Sequence, residues 1–246
     1  EEVVVMISKL GYIKRVPLTQ YKAQSRGGKG SLSATLIEGD YINQIFTATT
    51  KSFITFFTNA GKVYWIKVHE IPEASRSSRG SSVKSLIQLS PDEEISTIVT
   101  MKDYTDQQYI FMSTANGTVK KCKTTEFANA KTRGVIGIKL HDGDHLVSAM
   151  LTSGNDDAML ITRKGQALRV SEESVRPMGR ASSGVTGIRL ASGDEVAAAI
   201  SVEQNKDALV ITEKGYGKRV GFDEFGKHGR GTGGQKIFGN IDGKGE

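Results

Sequence analysis

The chain has a single cysteine, Cys122, a single tryptophan and only four prolines among 246 residues. One cysteine excludes an internal disulfide framework and a cysteine-built metal site, and it fits a reducing, cytoplasmic setting. No run approaches the roughly 18 apolar residues of a membrane span. The opening "EEVVVMISKLG" lacks the basic region and cleavage site of a signal peptide. Long helical periodicity is missing throughout. Glycine, at 28 residues, is what the chain has in quantity. Paired with scarce proline, it points to many tight turns in an ordered protein.

The glycines recur. "VVVMISKLGYIKRV" opens the chain, and similar stretches start at Phe53, Tyr109, Ala158 and Ala208. Each has an apolar run, a polar tip, a glycine, and a shorter run mixing apolar and basic residues. The tip glycines are Gly11, Gly61, Gly117, Gly165 and Gly215, spaced 50, 56, 48 and 50. This is a β-hairpin pattern, with glycine supplying the positive φ of the turn. The second arm alternates, as in Val119, Lys121 and Lys123, which predicts one face packed and one solvated. About 15 residues later comes a glycine loop, "QSRGGKGSLSATL" in its first form, with aligned glycines Gly30, Gly80, Gly134, Gly184 and Gly234. An acidic turn follows, as in "EGD" from Glu38, "HDGD" from His141 and "ASGD" from Ala191, and then another apolar run.

Four strand-like runs per roughly 50 residues, repeated five times, predict radially repeated small antiparallel sheets. The fold class is all-β: one propeller-like domain over 1–246, with repeats at about 1–50, 51–104, 105–154, 155–204 and 205–246, the last incomplete. The net charge of +6 conceals a sorting of charge. Windows 9–36, 59–89, 116–140, 163–190 and 213–236 run from hairpin tip through glycine loop. They hold 29 of the 33 basic residues and 8 of the 27 acidic ones, a net of +21. In a radial array, equivalent positions share one radius and height. The sorting therefore predicts a continuous positive band, with the acidic turns elsewhere. Such a band suits a bent polyanion, duplex DNA above all.

Enzyme motifs are weak. "RGGKGS" is not a phosphate-binding G-x-x-x-x-G-K-[ST] loop, and "GRGTGG" at 229–234 follows a hairpin instead of opening a helix. His69, His141, His145 and His228 are scattered. Cys122 lies between Lys121 and Lys123, which would lower its pKa, but it has no His-Asp partner. Tyr12, Tyr64 and Tyr216 follow hairpin glycines and read as packing residues. Trp65 is expected between blades.

Gln24–Gly30 matches six of seven positions of the box Gln-Arg-Arg-Gly-Gly-Lys-Gly, with Ser25 replacing its first arginine. Together with "GYIKRVPL", "GKVYWIKVHEIPEASR", "TANGTVKK", "SSGVTGIRL" and "GYGKRV", in that order, it makes the chain resemble the C-terminal domain of bacterial DNA gyrase A. The related topoisomerase IV domain has a degenerate box or none. The resemblance implies a β-pinwheel, a disc of usually six blades that exchange strands, of which five repeats are visible here. It also implies a non-catalytic, DNA-wrapping part of an ATP-dependent type II topoisomerase that directs negative supercoiling. No cofactor is implied for this domain, since ATP and Mg serve elsewhere in the holoenzyme. The implied partners are duplex DNA, read with little sequence preference, and the rest of gyrase A together with gyrase B. The implied place is the bacterial chromosome in the cytoplasm and not a membrane. A scaffold binding an acidic protein is the alternative from another class.

The candidate DNA contacts fall in three groups. In the box they are Gln24, Arg26, Gly27, Gly28, Lys29 and Gly30, whose glycines would let backbone N–H groups approach phosphates. In the hairpin arms they are Lys14, Arg15, Lys62, Lys67, Lys120, Lys121, Arg169, Lys218 and Arg219. In the later loops they are Arg76, Arg79, Lys131, Arg133, Arg180 and Arg230.

Overall fold

The computed structural model describes residues 1–21, 34–238 and 245. The box Gln24–Gly30 lies outside the described residues. The strands in chain order are β1 (Glu2–Ser8), β2 (Tyr12–Pro17), β3 (Ile42–Thr49), β4 (Phe53–Thr58), β5 (Lys62–Lys67) and β6 (Ser81–Ser82). They continue with β7 (Ile95–Met101), β8 (Tyr109–Thr114), β9 (Thr118–Lys123), β10 (Val135–Ile136), β11 (Leu146–Thr152) and β12 (Asp157–Thr162). The last are β13 (Gln166–Ser171), β14 (Val185–Thr186), β15 (Val196–Val202), β16 (Asp207–Ile211), β17 (Gly217–Gly221) and β18 (Gln235–Lys236). The only helical turns among the described residues are short 3-10 pieces.

The expected hairpins are β1–β2, β4–β5, β8–β9, β12–β13 and β16–β17, all antiparallel. Each tip glycine has positive φ, from 74° at Gly61 to 85° at Gly117. The sheets are four four-stranded blades, ordered β3-β1-β2-β6, β7-β4-β5-β10, β11-β8-β9-β14 and β15-β12-β13-β18, and a two-stranded β16-β17. The fourth strand of every complete blade comes from the next repeat. Tyr12 pairs with Ser82, Val63 with Val135, Thr118 with Thr186 and Gln166 with Lys236. A repeat therefore does not equal a blade. The fifth repeat gives β18 to the fourth blade, and its own hairpin stands as a two-stranded sheet among the described residues.

The blades stack face to face, and the cores lie between them. Ile13 of the first blade packs with Phe56 and Tyr64 of the second. Phe57 then turns to the opposite side, joining Ile110, Met112 and Phe127 of the third. Adjacent residues Phe56 and Phe57 thus serve two different cores. This is why the first hairpin arms read as unbroken apolar runs: both of their faces are covered. Trp65 lies where the sequence suggests, between repeats. Its indole N–H donates to the Ala128 carbonyl at 3.2 Å, and its ring meets Phe53 edge-on at 4.9 Å.

Candidate nucleic-acid interface

Each glycine loop is built on the hairpin of the preceding blade. Its entry is tied to the second arm: the amides of Ala74, Met178 and His228 donate to the carbonyls of Arg15, Lys121 and Arg169. Its exit becomes the donated two-residue strand. In between, a hydroxyl closes the turn. Ser78 donates to Ser75 O, Ser182 to Gly179 O and Thr232 to Gly229 O, all at 2.8–2.9 Å. The aligned glycine is required because the loop crosses the arm closely. A Cβ on Gly80 would meet Ile13 O at 2.5 Å, and one on Gly184 would meet Val119 O at the same distance. In these loops the glycine therefore admits a protein backbone, where the sequence suggested a phosphate.

Arginine stands four residues before the aligned glycine as Arg26, Arg76, Arg180 and Arg230, and Ala130 replaces it in the third loop. Arg76 is half-buried and its Nη1 donates to Gln20 O at 3.2 Å. Arg180 is half-buried too. Arg230 is exposed, with Nε donating to Ser174 O and Nη1 to Thr186 O. Arg79 is exposed, its guanidinium 5.4 Å from the Tyr12 ring. Lys131 and Arg133 are exposed on the third loop, Lys131 at a φ of 44°. The loops follow one another edge to edge. The amides of Gln88, Lys139 and Arg189, just after the second, third and fourth loops, donate to Thr132 O, Ser182 O and Thr232 O of the next loop. Loops two to five are thus linked in series. Lys84, Lys139 and Arg189 lie exposed at these junctions. The sequence-based set omits them, although the recurring "GIKL" and "GIRL" marks two of the three.

The hairpin arms need correction. Lys14, Lys120 and Lys121 are buried, with 1%, 0% and 4% of their surface exposed, and cannot meet a ligand on the rim. Alternation fails in β9 because both of its faces are covered by neighbouring blades. The Lys121 ammonium donates to Glu172 O at 2.8 Å and lies 3.8 Å from the Glu172 carboxylate. That carboxylate also accepts the amides of Gly154 and Asp156 and the Thr152 hydroxyl. Arg15 and Arg169 are half-buried and bound at equivalent places, Arg15 to Ile71 O and Glu73, Arg169 to Phe222 O and Asp157. Lys62 is 3.9 Å from Glu93. Lys67 lies over the Phe53 ring at 3.2 Å and donates to Lys51 O. Lys218 and Arg219 are exposed, donating to Ile237 O and pairing with Asp207 respectively.

The acidic turns are not remote from the hairpins either. Asp40, Asp144 and Asp194 each accept the amide just before a tip glycine, from Leu10, Asn116 and Lys164, all at 3.0 Å. They cap the tips, and their charge lies beside the basic windows. In the second repeat Glu93 does related work from inside, accepting the Thr58 and Tyr64 hydroxyls. Burial, and after it the Glu93 carboxylate, push the Tyr64 phenol above its ordinary range. Tyr216, by contrast, is 52% exposed and is not a packing residue. Burial also pushes the Cys122 thiol up to about 11, overriding the lowering effect of Lys120, so the expectation of a lowered pKa was wrong. Among the described residues no group of three His, Cys, Asp or Glu could hold a metal ion, and no helix is long and apolar enough to cross a membrane.

The family profile described as "DNA gyrase C-terminal domain, beta-propeller" matches five stretches, 2–49, 52–100, 108–153, 156–203 and 206–246. The DNA gyrase A protein of Treponema pallidum (strain Nichols) is 55% identical over 183 residues, covering 74% of this chain and 22% of that protein. The chain thus spans about a fifth of the length of that relative. A solved DNA gyrase A C-terminal domain superposes with a TM-score of 0.80 at 34% identity, over 97% of this chain and 79% of that one. A DNA topoisomerase IV C-terminal domain gives 0.79 at 28% identity, over 96% and 72%. Five matched repeats and strand-exchanged blades agree, and the chain belongs to the family of DNA gyrase A C-terminal domains.

Proposed function

We propose that this chain binds duplex DNA along its loop rim and bends it, acting as the DNA-wrapping part of a gyrase. One observation carries the reading: loops two to five are hydrogen-bonded in series and present arginine and lysine along their whole length. Guanidinium groups fixed on a curved track engage phosphates bidentately and read little sequence. The box residues Gln24, Arg26 and Lys29 would extend the track by one loop, on the strength of the likeness alone. The domain contributes geometry, while strand cleavage and ATP hydrolysis, with their Mg, belong to other parts of the holoenzyme. Supercoiling by that holoenzyme depends on the crossing this domain presents.

Salt tests the reading. With one or two phosphates neutralised per loop, Z is roughly 5 to 10 and the log–log slope of affinity against salt is about −0.9Z. Affinity for a long duplex should fall roughly a thousandfold or more between 50 and 200 mM salt. A nearly flat response would favour the docking of an acidic protein.

A further inference from the structure

Two lysines on the rim side of the blades have no exposed ammonium. Lys14 Nζ donates to Ser75 O at 3.3 Å, Arg76 O at 2.6 Å and Ser78 O at 2.7 Å. Lys120 Nζ donates to Arg180 O, to Gly137 O at 2.8 Å and to Ser182 O at 2.9 Å. A lysine ammonium has three protons. In both residues all three point at main-chain carbonyls, and none is left for a phosphate. Every acceptor of Lys14, and two of the three of Lys120, belong to the following repeat, 60 to 64 residues away. They lie in the turn that carries the arginine, and in both loops the arginine's own carbonyl is one of them.

Lys14 and Lys120 occupy the third position after their tip glycines. The residues there in the second and fourth repeats are Tyr64 and Leu168. Tyr64 sends its hydroxyl to Glu93, and its ring fills the space under Gly134, where a Cβ would come within 2.4 Å of it. The third loop, above Tyr64, is the one that has Ala130 in place of the arginine. Burial pushes the Lys14 and Lys120 ammonium groups below the ordinary lysine value, while the converging carbonyl dipoles favour their charge.

We propose that Lys14 and Lys120 are positioning residues for nucleic-acid binding: each holds the arginine-bearing loop of the next repeat from beneath, and touches no ligand itself. The assignment rests on the DNA reading above. It makes the loop conformation, and with it the direction of Arg76 and Arg180, depend on a buried charge in the preceding blade.

The test is a double-mutant cycle in the intact chain with Lys120→Met and Arg180→Ala, read as the salt dependence of binding to a long duplex. One lost phosphate contact lowers the slope by about 0.9. A positioning role predicts that either variant lowers it by about 0.9, and that the double variant lowers it no further. It also predicts faster amide exchange at 179–184 in Lys120→Met without DNA, with β8 and β12 unchanged. Independent contacts would give a drop of about 1.8 in the double variant and would overturn the assignment. So would unchanged exchange at 179–184. Should Lys120→Met fail to fold, Lys14→Met with Arg76→Ala repeats the cycle. If both lysine variants unfold, these are stability residues and the assignment is wrong. A wild-type chain that does not bind duplex at low salt would instead refute the DNA reading, while the exchange experiment would still judge the lysine cage.

Discussion

Gly117 and Gly143 both have positive φ, 85° and 77°, yet their surroundings differ. A Cβ on Gly117 would meet Ile188 O at 2.7 Å, whereas one on Gly143 would meet nothing within 4 Å. Left-handed backbone costs a non-glycine residue roughly 1–2 kcal/mol. Gly143→Ala should cost about that much. Gly117→Ala must also displace a carbonyl of the next repeat, and should cost roughly 3 kcal/mol or more. Urea denaturation midpoints of the two variants would compare them, and equal midpoints would deny the close approach. At this scale the tip glycines are legible in the sequence, because a hairpin turn demands one residue type. The buried lysines are not. Lysine is almost never fully buried unless paired. The partners of Lys14 and Lys120 are main-chain carbonyls, most of them far along the chain, which leave no mark in a sequence.

Hairpins are legible as elements because turn chemistry and strand composition agree over short distances. Strand exchange follows from the family likeness but not from the residues. The donated strands, such as Ser81–Ser82 and Val185–Thr186, are two residues long and have no hydrophobic pattern of their own. The acidic turns stand out in the sequence, but their task of capping the tips does not, since an Asx cap 28 to 30 residues away resembles any surface aspartate. Exchange makes each blade depend on its successor. Ending the chain after Glu203 should therefore damage the fourth blade, although its β12, β13 and β15 all begin before that point. Without β18, the amides of β13 should lose exchange protection, while β8 and β9 keep theirs. Unchanged protection in β13 would mean that the repeats are autonomous.

For the whole molecule, the sorting of 29 basic residues into five windows points to one rim from the sequence alone. The structure redistributes that charge. Part of it lies inside, at Lys14, Lys120 and Lys121, and part is engaged in the arms at Arg15 and Arg169. What remains on the surface is concentrated in the loops and at the junctions between them. The rim is a narrower track than the composition suggests, and a better guide for a curved duplex. Bending 20–30 bp through 40–90° costs roughly 1–6 kcal/mol, and this is offset only by interactions that form in the curved state. The central claim is that the track holds DNA curved and does not merely attract it. Ligating a nicked circular plasmid in the presence of the domain measures this directly. A track that curves DNA predicts a linking-number shift that grows with the amount of bound domain. Bound DNA that closes with no shift at any saturation would contradict it.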